Sequence, residues 1–138
     1  MASLSRWVRI AKIGLGLAFA SVLVRLFGMQ RGWAILRRLA DRRIPYPHTA
    51  LSRTMITQAL VRDVTAVAAR SPFRSRCLAR SLFLAASLRR QGIAASVCIG
   101  VRGNDGFDAH AWVEIDARPI NDTADVTTRY ATLWRLEA

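Results

Sequence analysis

Three side chains in this 138-residue chain have the types needed for covalent catalysis: Cys77, His110 and Asp122. A thiol, an imidazole and a carboxylate can act as nucleophile, general base and the group that orients the base. Cys77 opens the stretch Arg76 to Gly92. A thiol at a helix N-terminus meets unpaired N–H groups and the positive end of the dipole, and Arg74, Arg76 and Arg80 add cations. Both effects favour the thiolate. The competing reading is that a free Cys is a small buried hydrophobe. Cys98, between Val97 and Ile99 on an apolar alternating stretch, fits that second reading.

The elements that must position these groups can be read from pattern. Cys77, Leu84 and Leu88, with Leu78, Leu82 and Ala85, recur near the helical period, and Gly92 follows Arg89 and Arg90 as a C-cap glycine would. Ser71 to Ser75, with Pro72, suits a turn and an N-cap. Ala95, Val97, Ile99 and Val101 alternate as in a strand, and Gly103-Asn104-Asp105-Gly106 is a hairpin signal. In the next strand Ala111, Val113 and Ile115 face one way and His110, Trp112 and Glu114 the other. Ala117-Arg118 reads as a turn and Pro119 to Asp122 as the start of an edge strand. His110 and Asp122 can then lie side by side on one sheet face. If the Cys77 helix packs on that face, the thiol joins them. The expected fold is α+β, a helix bearing Cys77 packed on a small antiparallel sheet, with further helices before it.

Arg76-Cys77-Leu78-Ala79-Arg80-Ser81-Leu82, Arg89-Arg90-Gln91-Gly92-Ile93-Ala94, Ile99-Gly100-Val101, Phe107 to Glu114 and Pro119-Ile120-Asn121-Asp122 together resemble a specific family. It is the transglutaminase-like (papain-like) cysteine peptidases of lasso-peptide biosynthesis, which remove the leader from a precursor peptide. The resemblance runs from about Val61 to the C-terminus. It implies a Cys77–His110–Asp122 triad; no cofactor is expected, and a free catalytic thiol fits a reducing cytoplasm. It also implies a precursor peptide as substrate, a separate leader-recognition protein and a lasso cyclase as the next partner. Trp112 and Arg76 are expected near the substrate. The same triad also serves acyltransferases and amidases, which differ in the nucleophile that resolves the thioester.

Composition narrows the remaining possibilities. Hydrophobic residues make up 52% and the net charge is +12. The charge is divided: residues 1–102 hold 18 cations and 2 acids, residues 103–138 hold 3 and 7. Arg abundance alone, without aromatics on a basic sheet, argues against nucleic acid. Two Cys make no disulfide framework, and Cys77, Cys98, His48 and His110 lack the close spacing of a metal site. No glycine-rich phosphate loop is present.

Residues 1–45 are expected to form a basic amphipathic helical region, and residues 46–138 the peptidase domain that the resemblance implies. The uncharged run Ile13 to Val24 is shorter than the roughly 20 residues that span a bilayer. A basic start with small Ala18 and Ala20 also resembles a secretory signal, but no hydrophilic stretch follows. The pattern favours two basic amphipathic helices, about Leu4–Phe27 and Arg31–Arg42, broken at Gly28. Their apolar faces suit the core of the following domain first, because residues 1–45 are too few for a core of their own, and otherwise a membrane surface or a partner protein. The membrane option would make the protein peripheral, and a non-catalytic basic adaptor is the alternative of a different class. Ile44-Pro45-Tyr46-Pro47-His48 is a linker, with His48 a loop residue. A helix capped by Thr49 or Ser52 should run to Arg70. After Asp122 the pattern weakens, and Tyr130–Leu136 reads as a short helix with Leu133 and Trp134 against the core.

Overall fold

The computed structural model describes residues 2–41, 49–70, 76–103 and 108–137. The linker at Ile44–His48, the turn before Arg76 and the hairpin tip at Asn104–Gly106 lie outside those residues.

Three helices lead. α1 spans Ala2–Ala40, α2 Ala50–Ala69 and α3 Arg76–Arg90. Gly28 sits inside α1 with non-helical angles (φ 78°, ψ 175°), so the helix is two segments meeting at a kink, where the sequence places its break. Thr49 caps α2, its Oγ1 accepting from the Ser52 N–H at 3.1 Å. α3 ends as its sequence requires. Gly92 adopts φ +76°, its N–H donates to Arg89 O at 2.9 Å, and the N–H of Ile93 donates to Leu88 O at 3.0 Å. That pair of bonds is the Schellman motif, which needs a residue free of a Cβ at the left-handed position. Ile93 is buried beside it.

The second half is a four-stranded antiparallel sheet, in the order β3-β2-β1-β4. The strands are β1 Ser96–Arg102, β2 Asp108–Ile115, β3 Arg118–Pro119 and β4 Ala131–Leu136, with a short helix α4 at Val126–Arg129 before β4. The α+β expectation is met. Three local expectations are corrected. The turn after β2 is Asp116-Ala117, not Ala117-Arg118; both residues hold positive φ (51° and 60°), the two-residue geometry that matches strand twist. β3 covers only Arg118–Pro119, so Ile120 to Asp122 do not continue as a strand. Residues 131–136 form strand β4 rather than a helix, and Leu133 and Trp134 are half exposed rather than packed inward. The free edge of β1 recruits this segment, whose Thr, Leu and Trp suit a strand as well as they suit a helix.

The two faces of the sheet differ. Val97 and Val113 join the main core, with Leu82, Leu84, Ala85 and Leu88 of α3, Val64 and Ala68 of α2, and Ile13, Leu17, Ala20, Leu23, Trp33 and Leu36 of α1. On the opposite face Cys98, Trp112, Val126 and Tyr130 form a separate small cluster. His110, Trp112 and Glu114 belong to that second face. The expectation that α3 packs on the His110 face is therefore reversed: α3 covers the Ala111–Val113 face. The apolar β-branched side decides which face a helix buries, and His110, Trp112 and Glu114 cannot supply it.

Candidate active site

β2 carries His110 near its start, paired across β1 with Gly100. Because β3 pairs only with Glu114 and Ile115, the outer edge of β2 beside His110 lacks a strand partner. The segment after β3 fills that edge with one backbone amide and one side chain. The Val113 N–H donates to Asn121 Oδ1 at 2.8 Å, and the Ile120 N–H donates to Val113 O at 2.9 Å. The hydroxyl of Ser81, on α3, donates to Ala111 O at 3.2 Å and accepts from Asn121 Nδ2 at 3.5 Å. Ser81 is fully buried. These bonds satisfy backbone groups that a longer β3 would have paired. They also tie together the Cys77 helix, the His110 strand and the Asp122 segment.

The next residue along, Asp122, meets His110 directly: His110 Nε2–H donates to Asp122 Oδ2. Sequence separation of 12 residues is closed by the β2–β3 reversal. The other carboxylate oxygen accepts from the Thr123 N–H at 2.7 Å and from Arg129 Nη2 at 3.3 Å. Burial pushes the Asp122 carboxyl up, but the hydrogen bond and charge of His110 and the Thr123 N–H outweigh it. Asp122 therefore titrates below its ordinary value. With Nε2 bound to the carboxylate, the imidazole presents Nδ1 as its free nitrogen.

Cys77 lies in the first turn of α3 and is partly buried. α3 reverses into β1 through the Gly92 turn and β1 pairs antiparallel with β2, so α3 and β2 run in the same sense. Cys77 is one helical turn before Ser81, and His110 is one residue before Ala111, to which Ser81 is bonded. Among the described residues no hydrogen bond joins the thiol to His110. The Arg76 backbone opens α3; its side chain is outside those described.

The ground beneath His110 is aromatic and acidic. Its ring lies 6.1 Å from that of Trp112 and 5.0 Å from that of Tyr130. Trp112 is fully buried and donates its indole N–H to Glu114 Oε1 at 2.9 Å, so it supports His110 from below. Glu114 also accepts from Arg135 Nη1 at 2.8 Å. Burial raises its carboxyl, and those two donors pull it below the usual range. Tyr130 donates to Asp108 Oδ2 at 3.0 Å, with the guanidinium carbons of Arg102 and Arg129 at 5.1 and 5.7 Å from its ring centre. Gly100 makes this packing possible. A Cβ there would stand 2.9 Å from the Tyr130 Cβ and 3.0 Å from Trp112.

The two cysteines are chemically unlike. Burial, with Glu114 beside it, pushes the Cys98 thiol up to about 12, so it stays protonated and inert. Among the described residues no cluster of three metal-binding side chains occurs.

Ser81, Asn121, Arg129 and Tyr130 are absent from the sequence-based candidates. Two carried a signal: Ser81 is one turn beyond Cys77, and Asn121 immediately precedes Asp122. Arg129 and Tyr130 had none, because α4 and β4 were not legible as such.

No curated protein and no solved structure matches the chain. The profile of the transglutaminase-like superfamily matches residues 15–135, from within α1 to the last residues of β4, and so includes all three candidate residues. Its fold is typical of cysteine peptidases and acyltransferases. The helix-plus-antiparallel-sheet architecture and the extent of this match agree, and the chain belongs to the transglutaminase-like superfamily.

Proposed function

We propose that the chain is a cysteine peptidase that removes the leader from a ribosomally made lasso-peptide precursor. The observation that carries the catalytic part is the direct His110–Asp122 bond, beside the edge where Ser81 anchors the Cys77 helix. Cys77 is the nucleophile. His110 Nδ1 takes the thiol proton, and Asp122 holds the ring through Nε2 and stabilises its positive charge. The thiolate adds to the scissile carbonyl, and the backbone N–H of Cys77 at the helix N-terminus donates to the developing oxyanion. Collapse breaks the C–N bond, His110 returns the proton to the departing amine, and a thioester remains. Water activated by His110 then hydrolyses it and frees Cys77.

The leader specificity rests on the run of motifs from Arg76 to Asp122. In this reading a separate recognition protein delivers the leader, the chain acts in the cytoplasm, and the trimmed core passes to a cyclase. Mass spectrometry of a precursor peptide from the same gene neighbourhood tests it. The peptide is incubated with the wild type or Cys77→Ala, with and without the neighbouring leader-binding protein. The expected result is one cut, enhanced by that protein and lost in the variant. Transfer of the acyl group to an added amine in preference to water would assign the chain to the acyltransferases instead. No acyl chemistry with the folded, reduced protein would leave an adaptor.

A further inference from the structure

α1 buries one side and leaves the other bare. Ile13, Leu17, Ala20 and Leu23 point into the core. Leu4, Val8, Leu15, Phe19, Val22 and Leu26 are exposed, from 44% for Phe19 to 73% for Leu4 and Leu15. Their steps of four, seven, four, three and four follow the helical period, so they form one continuous stripe. Trp7, 65% exposed, borders it near the start and Phe27, 48% exposed, near the end. At 1.5 Å per residue the stripe is about 34 Å long. Soluble chains rarely leave an apolar strip of this length without a partner.

The charge around the stripe identifies the partner. Residues 1–40 contain no acid, whereas Arg6, Arg9, Lys12, Arg25 and Arg31 are all cations. By helical spacing Lys12 and Arg25 fall on opposite edges of the stripe, where their stems can lie along it and their charges reach outward. Arg9 is engaged by Asp63 at 3.3 Å. A cavity of about 520 Å³ between α1, α2 and α3 borders the same face; exposed Leu15 and Phe19 line it, together with Lys12 and Arg90. Although α1 is long and apolar enough to cross a bilayer by length and composition, its inner face is locked against α2 and α3. With that face engaged, the exposed side of α1 is the one left to meet an interface, which suits a helix lying in its plane.

We infer that the outer face of α1 docks the protein on an anionic membrane surface, the stripe entering the headgroup boundary and the flanking cations meeting lipid phosphates. A helix face with an apolar centre and basic edges suits a flat anionic interface. The docking leaves the sheet face that carries His110 uncommitted.

The full chain, carrying Cys77→Ala so that the readout is independent of catalysis, is floated with phosphatidylcholine vesicles with or without phosphatidylglycerol. Expected is binding to the anionic vesicles at least about tenfold above the neutral ones, weakened by salt. The doubly substituted Leu15→Glu/Leu26→Glu protein should lose it with its circular dichroism unchanged, since both positions are exposed. Lys12→Glu/Arg25→Glu should weaken binding to anionic vesicles selectively. Absence of flotation by the folded wild type would overturn the inference. So would binding that ignores both sets of substitutions, or a lipid-free dimer that Leu15→Glu/Leu26→Glu dissociates, which would make the occupant a second copy.

Discussion

The two faces of β2 use alternate residues of one short strand for opposite purposes. Ala111 and Val113 face α3 and the helical core, without a charged group among them. His110, Trp112 and Glu114 face a small cluster with Cys98 and Tyr130, rimmed by Arg102, Arg129 and Arg135. The first face buries apolar surface and holds the helix in place. The second holds ionisable groups in fixed orientations. A strand separates them at no cost in length, because successive side chains point to opposite sides. The link between the faces runs around the strand edge, through Ser81 and Asn121. The comparison teaches that Cys77 and His110 are set by different packing problems and are coordinated by a few hydrogen bonds at that edge.

The largest expected break is chemical. Cys77→Ala should lower peptide cleavage by about a thousandfold or more while leaving the melting temperature unchanged, because the thiol is outside the buried core. A large drop in melting temperature would show that Cys77 belongs to the stability face instead. Leu82→Ala should do the reverse. Leu82 is fully buried, and its truncation should cost about 3 kcal/mol of stability by denaturant titration, with kcat of the remaining folded protein little altered.

Asp122→Asn should also reduce kcat, by roughly a hundredfold less than loss of the nucleophile does, since an orienting group is partly replaceable. It also has a pH signature. The folded-state carboxyl titrates below its unfolded value of about 3.9, so its stabilising contribution is complete above that pH. As pH falls, the unfolded chain takes up the proton first and the contribution fades toward the folded value. Melting curves of the wild type should therefore fall more steeply with acid in that window than those of Asp122→Asn; parallel curves would remove the coupling to His110.

Ser81→Ala and Asn121→Ala test the edge that joins the faces. Each leaves a buried backbone or side-chain partner unmet and should cost about 1 kcal/mol. Both should lower kcat more than their stability loss explains, because they loosen Cys77 relative to His110. Unchanged kcat in both would mean that the faces are positioned independently. The gentlest probe is labelling. Cys98 is fully buried and its thiol is pushed up to about 12, so iodoacetamide should modify one thiol in the native protein, at Cys77. The second should react only after unfolding.

Much of this arrangement is written in local sequence. The period of α3, its Gly92 terminator, the cap at Thr49 and the kink at Gly28 are decided by neighbours a turn away. So is the alternation that puts His110 and Val113 on opposite faces of β2. The His110–Asp122 pairing was legible for the same reason, since Asp122 follows His110 after one short reversal. What tertiary structure decided is where these pieces meet. Residues 131–136 became β4 because β1 had an open edge, a fact no local pattern contains. β3 stopped at Pro119 because Asn121 and Ser81 took over the hydrogen bonds of the β2 edge. α3 chose the Ala111–Val113 face because burial there costs no ionisable group its solvent. Backbone periodicity is a short-range property and travels with the sequence; the choice of partner depends on which surfaces and hydrogen-bonding edges remain unsatisfied once the chain has folded back on itself.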